Sequence, residues 1–362
     1  MAGALKRWEV ARWLRLPELL LSAGAVGAFA IVLVAAEIVA RRIDPHYLDR
    51  RRGPEVYSER YGWKLRPGFV GELHDVPLRL NARGYRGELH SYEKTTRKTR
   101  LVMLGDSVTF GSGVRDYETF SSLLEHRSDR YEVVNLAVEG YGNDQELLVL
   151  EDEGLHYHPD VVVLNICIAN DPLDNYQPSS NDFRPKPRFT WDGRELVLHE
   201  EATQLSPPMR AIQWLADESH VVNRLLDLLP PLPEWSPFRQ LHTEPRPFNR
   251  HLANELTVRI VCRAGEVAHR GAADLLVLLH PDRLTFEGSS LVATNLDNAL
   301  RGHGIRVEDL YSTYRAAGLS YNQIALDGQG HLTPLGHHFV AEDVERLLAA
   351  TASQQVSIPQ KR

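Results

Sequence analysis

Residues 101–113, LVMLGDSVTFGSG, determine the fold that the rest of the chain has to complete. Leu101 to Leu104 form an apolar run with the length and the edges of a buried parallel strand, and Gly105, Asp106 and Ser107 follow where a helix should begin. Ligand sites of open α/β sheets gather at this edge, because a rigid strand backs the turn and the helix offers free N–H groups. Ser107 is therefore a candidate nucleophile if the chain also supplies a base and oxyanion donors. Otherwise Gly-Asp-Ser is an ordinary turn or helix cap.

Short apolar runs alternate with helical patterns beyond this stretch. Further strands are predicted at 132–136, 161–168, 275–279 and 305–310, and helices at 119–126, 144–155, 252–269, 290–301 and 334–350. The alternation predicts one α/β domain over residues 99–350, with a five-stranded parallel sheet covered on both faces.

A proline-rich insertion, residues 172–250, interrupts that domain. Residues 172–247 contain 12 of the 21 prolines, which breaks the alternation of strands and helices. We expect the insertion to lie over the carboxyl edge of the sheet, where it shapes a substrate cleft or contacts a membrane. The alternative is a surface loop without a specific role.

The N-terminal residues differ from the rest in composition. Residues 1–15 form a basic arm, and residues 16–40 are predicted to be a transmembrane helix, because 19–36 run for 18 residues without a charge or a proline. Such a helix is roughly 27 Å long, close to the thickness of a bilayer's hydrocarbon core. A cleaved signal peptide and a buried soluble helix are the alternatives. Basic residues flank both ends, so charge bias does not give the orientation.

The remaining segments are simpler. Residues 41–98 are predicted to be a juxtamembrane linker with an edge element packed on the domain, including a short strand at 76–80, and residues 351–362 a C-terminal tail.

The net charge of −7 gives no general attraction to nucleic acid. Cys167 and Cys262 are too few for a disulfide framework or a zinc site, and no further ligand accompanies His156 and His158. We expect neither a metal nor a cofactor.

Three other segments end at positions where they could complete a site with Ser107. Gly140 follows the second strand, Asn170 and Asp171 follow the third, and a tight loop before the last helix contains Asp327 and His331. Each signal is weak alone. Together they predict that segments distant in sequence meet at one edge of the sheet with complementary chemistry.

This set of motifs resembles the SGNH (GDSL-type) hydrolase superfamily, over residues 101–350. The stretch Asn81 to Gly87 also resembles a leader found in membrane-anchored bacterial envelope members. The resemblance implies a flavodoxin-like three-layer sandwich, with Ser107 as nucleophile and His331 as general base. It also implies an oxyanion hole formed by the N–H groups of Ser107 and Gly140 and the amide of Asn170.

The acid departs from the pattern of the superfamily. The usual spacing is Asp-x-x-His, whereas the residue three before His331 is Gly328 and the carboxylate, Asp327, is four before it. We expect Asp327 to orient the imidazole, since the intervening glycines can absorb the extra residue. A Ser–His dyad supported by a backbone carbonyl is the alternative. Asp106 is expected to cap the turn under Ser107, and Asp171 to hold the loop that carries Asn170. His337 and His338 are expected to be surface or packing residues.

Three functions are consistent with these residues. The first is a serine esterase or deacylase that hydrolyses an O-acyl ester, such as an acetyl group, on an envelope glycan or a lipid-like substrate. The second is an O-acyltransferase that passes the acyl group to an envelope polysaccharide with the same residues. The third is a catalytically inactive, anchored binding or scaffold protein. In each case we expect a single-pass membrane protein with its large domain on the non-cytoplasmic side.

Overall fold

The computed structural model describes residues 2–179, 184–228, 247–288 and 291–356. Backbone contacts divide the chain into two compact units. Met1–Arg52 and Pro207–Glu234 form one, here called the N-terminal unit, and Gly53–Ser206 and Trp235–Arg362 form the other, here called the sheet unit. Residues 180–183 and 229–246 of the predicted insertion, residue 290 of the predicted helix 290–301, and residues 357–362 of the predicted tail lie outside the described residues.

The strands follow one another as β1 Glu55–Ser58, β2 Gly62–Leu65, β3 Val70–Leu73, β4 Val76–Arg79, β5 Thr99–Leu104, β6 Tyr131–Asn135, β7 Val161–Cys167, β8 Arg188–Trp191, β9 Leu196–His199, β10 Asp274–His280 and β11 Arg306–Asp309. The helices are α1 Ala2–Ile43, α2 Tyr47–Arg52, α3 Ser107–Phe110, α4 Phe120–Arg127, α5 Asn143–Asp152, α6 Asp171–Tyr176, α7 Pro207–Glu218, α8 His220–Asp227, α9 Arg250–Arg270, α10 Arg283–Glu287, α11 Leu291–Gly302, α12 Leu310–Ala316, α13 Tyr321–Ile324 and α14 Pro334–Val356. Short 3-10 turns cover Asp116–Glu118, Gly154–Tyr157 and Glu201–Thr203.

The sheet unit is built on five parallel strands in the order β11-β10-β7-β5-β6. The central pair is in register from Val161 opposite Asp274 to Cys167 opposite His280. Every residue of β7 is buried, as a strand covered on both faces requires. The predicted five-stranded parallel sheet is confirmed.

Two apolar cores lie on the two faces of this sheet. Successive residues of β5 alternate between them, because side chains of a strand point to opposite faces. Val102 and Leu104 pack in a core with α5 and α9, whereas Leu101 and Met103 pack in a second core with α4 and α14. The arrangement is a three-layer α/β/α sandwich, as predicted.

The segment before β5 folds into two hairpins. Residues 76–79 do form a strand, β4, but β1 pairs with β2 and β3 with β4 in two separate antiparallel sheets, so neither extends the edge of the central sheet. His74 and Asp75 join β3 to β4 with positive φ angles of 51° and 62°, the conformation of a tight two-residue hairpin turn. The hairpins instead bury Trp63, Leu65 and Phe69 in the core that contains α5 and α9.

The N-terminal unit consists of α1, α2, α7 and α8. The predicted basic arm and transmembrane segment form one unbroken helix, α1, in which Ser22–Ile43 is long and apolar enough to cross a membrane.

Candidate active site

Ser107 lies at the carboxyl end of β5, at the first position of α3. The carboxylate of Asp106 caps this helix by accepting a hydrogen bond from the Val108 N–H at 2.9 Å. A side chain at Gly105 would place its Cβ 2.1 Å from Thr109 Oγ1. Glycine is therefore required where the chain turns from the strand into the helix.

His331 and Asp327 complete a continuous chain of hydrogen bonds with Ser107. The Oγ of Ser107 is 2.8 Å from His331 Nε2, and His331 Nδ1 is 2.5 Å from Asp327 Oδ2. An ionised carboxylate only accepts hydrogen bonds, so the imidazole proton lies on Nδ1. The unprotonated Nε2 then faces the serine hydroxyl as an acceptor.

The carboxylate of Asp327 also organises the loop that contains His331. Its Oδ1 accepts the N–H groups of Gln329, Gly330 and His331 at 2.9, 3.1 and 3.3 Å. Burial raises the pKa of Asp327, but the hydrogen bond and charge of His331 and the backbone N–H groups outweigh it, so the pKa lies below its usual value. These three hydrogen bonds fold residues 329–331 around the Asp327 carboxylate. The fold explains how an acid four residues before His331 reaches the imidazole ring.

His280, at the end of β10, is hydrogen-bonded to the same loop. Its Nε2–H donates to the carbonyl oxygen of Gly330 at 2.8 Å, and a Cβ at Gly330 would lie 2.9 Å from that nitrogen. Gly330 also has a φ of +106°, which favours glycine. Burial lowers the pKa of His280 to about 4, so the ring is neutral near pH 7. Sequence analysis missed His280, whose only signal is its place at a strand end.

The expected oxyanion donors are two backbone N–H groups, those of Ser107 and Gly140, and the side-chain amide of Asn170. Gly140 lies in a turn with a φ of +73°, and the Nε1–H of Trp63 fixes the preceding residue by donating to the Glu139 carbonyl at 3.0 Å. Within the described residues, neither the Ser107 N–H nor the Gly140 N–H donates to a protein acceptor. Both backbone groups therefore remain available to a bound oxygen atom.

Asn170 is held by carboxylates. Its Nδ2 lies 3.1 Å from Asp106 Oδ2, 3.2 Å from Asp171 Oδ1 and 3.0 Å from Asp174 Oδ2. Asp171 in turn accepts the Cys167 N–H at 2.9 Å and an N–H of the Asn143 side chain at 3.0 Å. In the described part of the chain, no hydrogen bond joins Asn170 to Ser107.

These carboxylates belong to a larger buried acidic network that sequence analysis found only in part. Its members are Asp106, Asp144, Glu146, Asp171 and Asp174. Lys186 is fully buried and forms an ion pair with Asp144. Burial raises the pKa of all five carboxyl groups, and that of Asp174 to about 7. A pKa of about 7 leaves Asp174 partly protonated near neutral pH, and a protonated carboxyl group can donate a hydrogen bond to a neighbour.

The remaining sequence candidates lie outside this site. His337 is buried and its Nδ1 accepts the Phe120 N–H at 3.2 Å, while burial lowers its pKa to about 3. His338 is 3.1 Å from Glu342 on the surface of α14. Cys167 is buried and Cys262 is half-buried, both as free thiols. Among the residues that the structure describes, no three His, Cys, Asp or Glu side chains are grouped as a metal site.

No family model matches the chain, and no curated protein matches it. Among solved structures, the chain is similar to TesA, with 14% identity over 69% of this chain and 97% of that one and a TM-score of 0.41. It is also similar to a member of the lipolytic protein G-D-S-L family from Veillonella parvula, with 15% identity over 69% and 98% of the two chains and a TM-score of 0.41. A third similar structure is the acetyl xylan esterase AlAXEase, with 12% identity over 68% and 98% and a TM-score of 0.39.

Proposed function

We propose that this chain is a serine esterase that hydrolyses an O-acyl ester at Ser107. The observation that carries the proposal is the hydrogen-bonded chain in which Ser107 Oγ lies 2.8 Å from His331 Nε2 and His331 Nδ1 lies 2.5 Å from Asp327 Oδ2. A serine hydroxyl needs an adjacent base to become a nucleophile, and the base needs a third group to hold its tautomer.

The proposed reaction proceeds in two halves. His331 Nε2 takes the proton of Ser107 Oγ while Oγ bonds to the ester carbon. The resulting tetrahedral intermediate expels the alcohol, whose oxygen receives that proton from His331, and an acyl-Ser107 remains. Water then attacks the acyl carbon, gives its proton to His331, and the carboxylic acid departs as the proton returns to Ser107 Oγ.

The negative oxygen of each tetrahedral intermediate would accept the N–H groups of Ser107 and Gly140. The amide of Asn170 would be the third donor, with one N–H directed to the substrate oxygen and the other retained by a carboxylate of the acidic network. Donors of this kind stabilise charge that develops only during the reaction, so each is worth about 10²–10³ in rate.

The Asp327 loop weakens the hypothesis of an inactive scaffold. That hypothesis depended on the unusual spacing between Asp327 and His331, and the contact between Nδ1 and Oδ2 supports the esterase instead. We propose an acetyl or other short O-acyl group on an envelope glycan or a lipid-like molecule as the substrate, in line with the envelope proteins that the motifs resemble.

We further propose that α1 anchors the protein as a single-pass membrane helix, with the sheet unit on the non-cytoplasmic side. The support is the apolar segment Ser22–Ile43 together with the same resemblance. External protease added to intact cells should digest the sheet unit. Its complete protection until the membrane is permeabilised would place it in the cytoplasm.

The test of the activity is hydrolysis of p-nitrophenyl acetate by the full chain in detergent micelles. Ser107→Ala should reduce turnover to the background rate without lowering the melting temperature. Ser122→Ala on α4, another half-buried serine, is the matched control and should retain full activity. Undiminished turnover by Ser107→Ala would remove Ser107 from the mechanism.

A further inference from the structure

Helix α7 of the N-terminal unit exposes its apolar side chains. Ile212, Trp214 and Leu215 are 50%, 59% and 39% exposed, and they are here called the apolar face of α7. The polar Gln213 is half-buried and donates to Asp217 Oδ2 at 2.9 Å. A surface helix of a water-soluble domain has the opposite arrangement, with its apolar stripe facing a core.

The end of α7 lies beside Glu37 of α1, six residues before the end of the candidate membrane span Ser22–Ile43. Glu37 of α1 is the first charged residue after the uncharged run 19–36. Its carboxylate accepts the Ser219 hydroxyl at 2.9 Å and the N–H groups of His220 and Val221 at 3.0 Å each. The turn between α7 and α8 is therefore fixed to α1 where its uncharged run ends. We place the end of the hydrocarbon core at this level, because a carboxylate inside the core is costly.

The far end of α8 is fixed away from that level. Asp227 accepts the hydroxyl of Tyr47 and forms an ion pair with Arg51 at 2.6 Å, and both partners lie in α2, beyond the end of α1. The eight residues of α8 rise about 12 Å between these two attachments. The turn Glu218–His220 is thus the part of the helix pair nearest to the bilayer, and Leu228 is distant from it.

These positions determine which side chains reach the lipid. Trp214 and Leu215 precede the turn by three or four residues, which places them about 5–6 Å from it along the helix axis. The headgroup layer of each leaflet is roughly 5–8 Å thick, and tryptophan is enriched there because its ring is apolar and its N–H is polar. Trp214 and Leu215 therefore fall within the thickness of this layer, and Ile212, at about 9 Å from the turn, lies at its outer boundary.

We propose that α7 is an interfacial helix whose apolar face inserts into the boundary between headgroups and acyl chains, in the leaflet where α1 leaves the bilayer. This inference rests on the proposed membrane crossing by α1 and is independent of the esterase activity. Two of the nearby arginines have carboxylate partners: Arg41 is 2.8 Å from Glu37 and Arg50 is 2.6 Å from Asp44. We expect apolar burial to drive insertion, without a requirement for anionic lipid.

The test uses single cysteines that carry an environment-sensitive fluorophore in the full chain. Cys262→Ala removes the half-buried thiol, whereas Cys167 can stay, because burial raises the pKa of its thiol and leaves it unreactive. Labels are introduced by Leu215→Cys, by Val34→Cys within the candidate span, and by Leu228→Cys, which replaces a leucine that is 81% exposed and predicted to lie in water.

The protein is reconstituted in phosphatidylcholine vesicles that contain a shallow doxyl-lipid quencher. We expect doxyl lipid to quench the labels at 215 and 34 about threefold or more above the label at 228, and aqueous iodide to show the reverse order. Addition of phosphatidylglycerol should not change the order. Ile212→Cys repeats the measurement on the same face, in case Leu215→Cys disturbs the fold.

Each other outcome overturns the inference in a distinguishable way. If the label at 34 is quenched but those at 212 and 215 behave like the label at 228, α7 lies in water and only the anchor stands. If the labels at 212 and 215 are shielded from both quenchers, a protein surface covers α7. If the label at 34 is not quenched by doxyl lipid, the membrane crossing itself is wrong.

Discussion

Replacement of Asp327 by asparagine separates the two tasks of this side chain. Oδ1 accepts three backbone N–H groups and Oδ2 accepts the proton of His331 Nδ1. In Asp327→Asn the amide oxygen can retain the three backbone hydrogen bonds, so the loop should keep its shape. The amide NH₂ then faces Nδ1 and donates to it. The imidazole proton must move to Nε2, where it faces Ser107 and prevents the ring from acting as a base.

The expected magnitude follows from this change of tautomer. Loss of the correct tautomer in a Ser-His-Asp site lowers kcat about 10⁴-fold, which corresponds to about 5 kcal/mol of activation free energy. The free energy of unfolding should change by less than about 1 kcal/mol, since only the bond to Nδ1 is altered. Asp327→Ala, which removes all the hydrogen bonds, should lose activity and also destabilise the loop by about 1–3 kcal/mol.

The assay is steady-state hydrolysis of p-nitrophenyl acetate, with urea unfolding of the same preparations. Asp282→Asn is the matched control, because Asp282 caps α10 by accepting the Thr285 N–H and makes no hydrogen bond to His331. It should leave kcat unchanged. If Asp327→Asn retains kcat within threefold of the parent, a Ser–His dyad is sufficient and Asp327 is only a structural residue.

Three further predictions concern neighbouring residues. Asn170→Ala should lower kcat about 10²–10³-fold, and an unaltered kcat would exclude its amide from the oxyanion hole. Burial raises the pKa of Asp174 from 3.8 to about 7, so the unfolded chain loses this proton first, and the free energy of unfolding should fall by up to about 4 kcal/mol between pH 4 and pH 7 and level off above. Asp174→Asn should remove that part of the slope in urea titrations, and an identical slope would contradict the shifted pKa. Gly105→Ala would force its Cβ against Thr109 Oγ1, and should reduce the free energy of unfolding by about 1–3 kcal/mol in the same titrations.

The features that sequence analysis predicted are those with a local signal. Most of the five strands were identifiable because buried parallel strands are apolar runs between turns, and the run Leu101 to Leu104 before Gly105 carries that signal in four residues. Within residues 41–98, the strand predicted at 76–80 corresponds to β4, but its partner β3 was not predicted. The pairing of β3 with β4 is local, but the positive φ angles of its two-residue turn fall on His74 and Asp75, with no glycine to indicate them.

The supporting residues could not be predicted for the same reason. Asp174 and Lys186 become significant only when three-dimensional packing excludes water from them. His280 has one local signal, its place at the end of an apolar strand, which does not indicate its contact with the Gly330 carbonyl. The four-residue spacing of Asp327 and His331 was ambiguous because loop length alone does not fix direction. The backbone hydrogen bonds to Asp327 Oδ1 supply that direction.

Labelling with a fluorophosphonate tests the central claim most directly, since the reagent phosphonylates a serine only where a base and an oxyanion site activate it. Intact mass and peptide mapping of the full chain should show one adduct, located on Ser107, and none in Ser107→Ala or His331→Ala. An unlabelled parent protein that remains folded, or an adduct on another serine while esterase activity persists, would contradict the account.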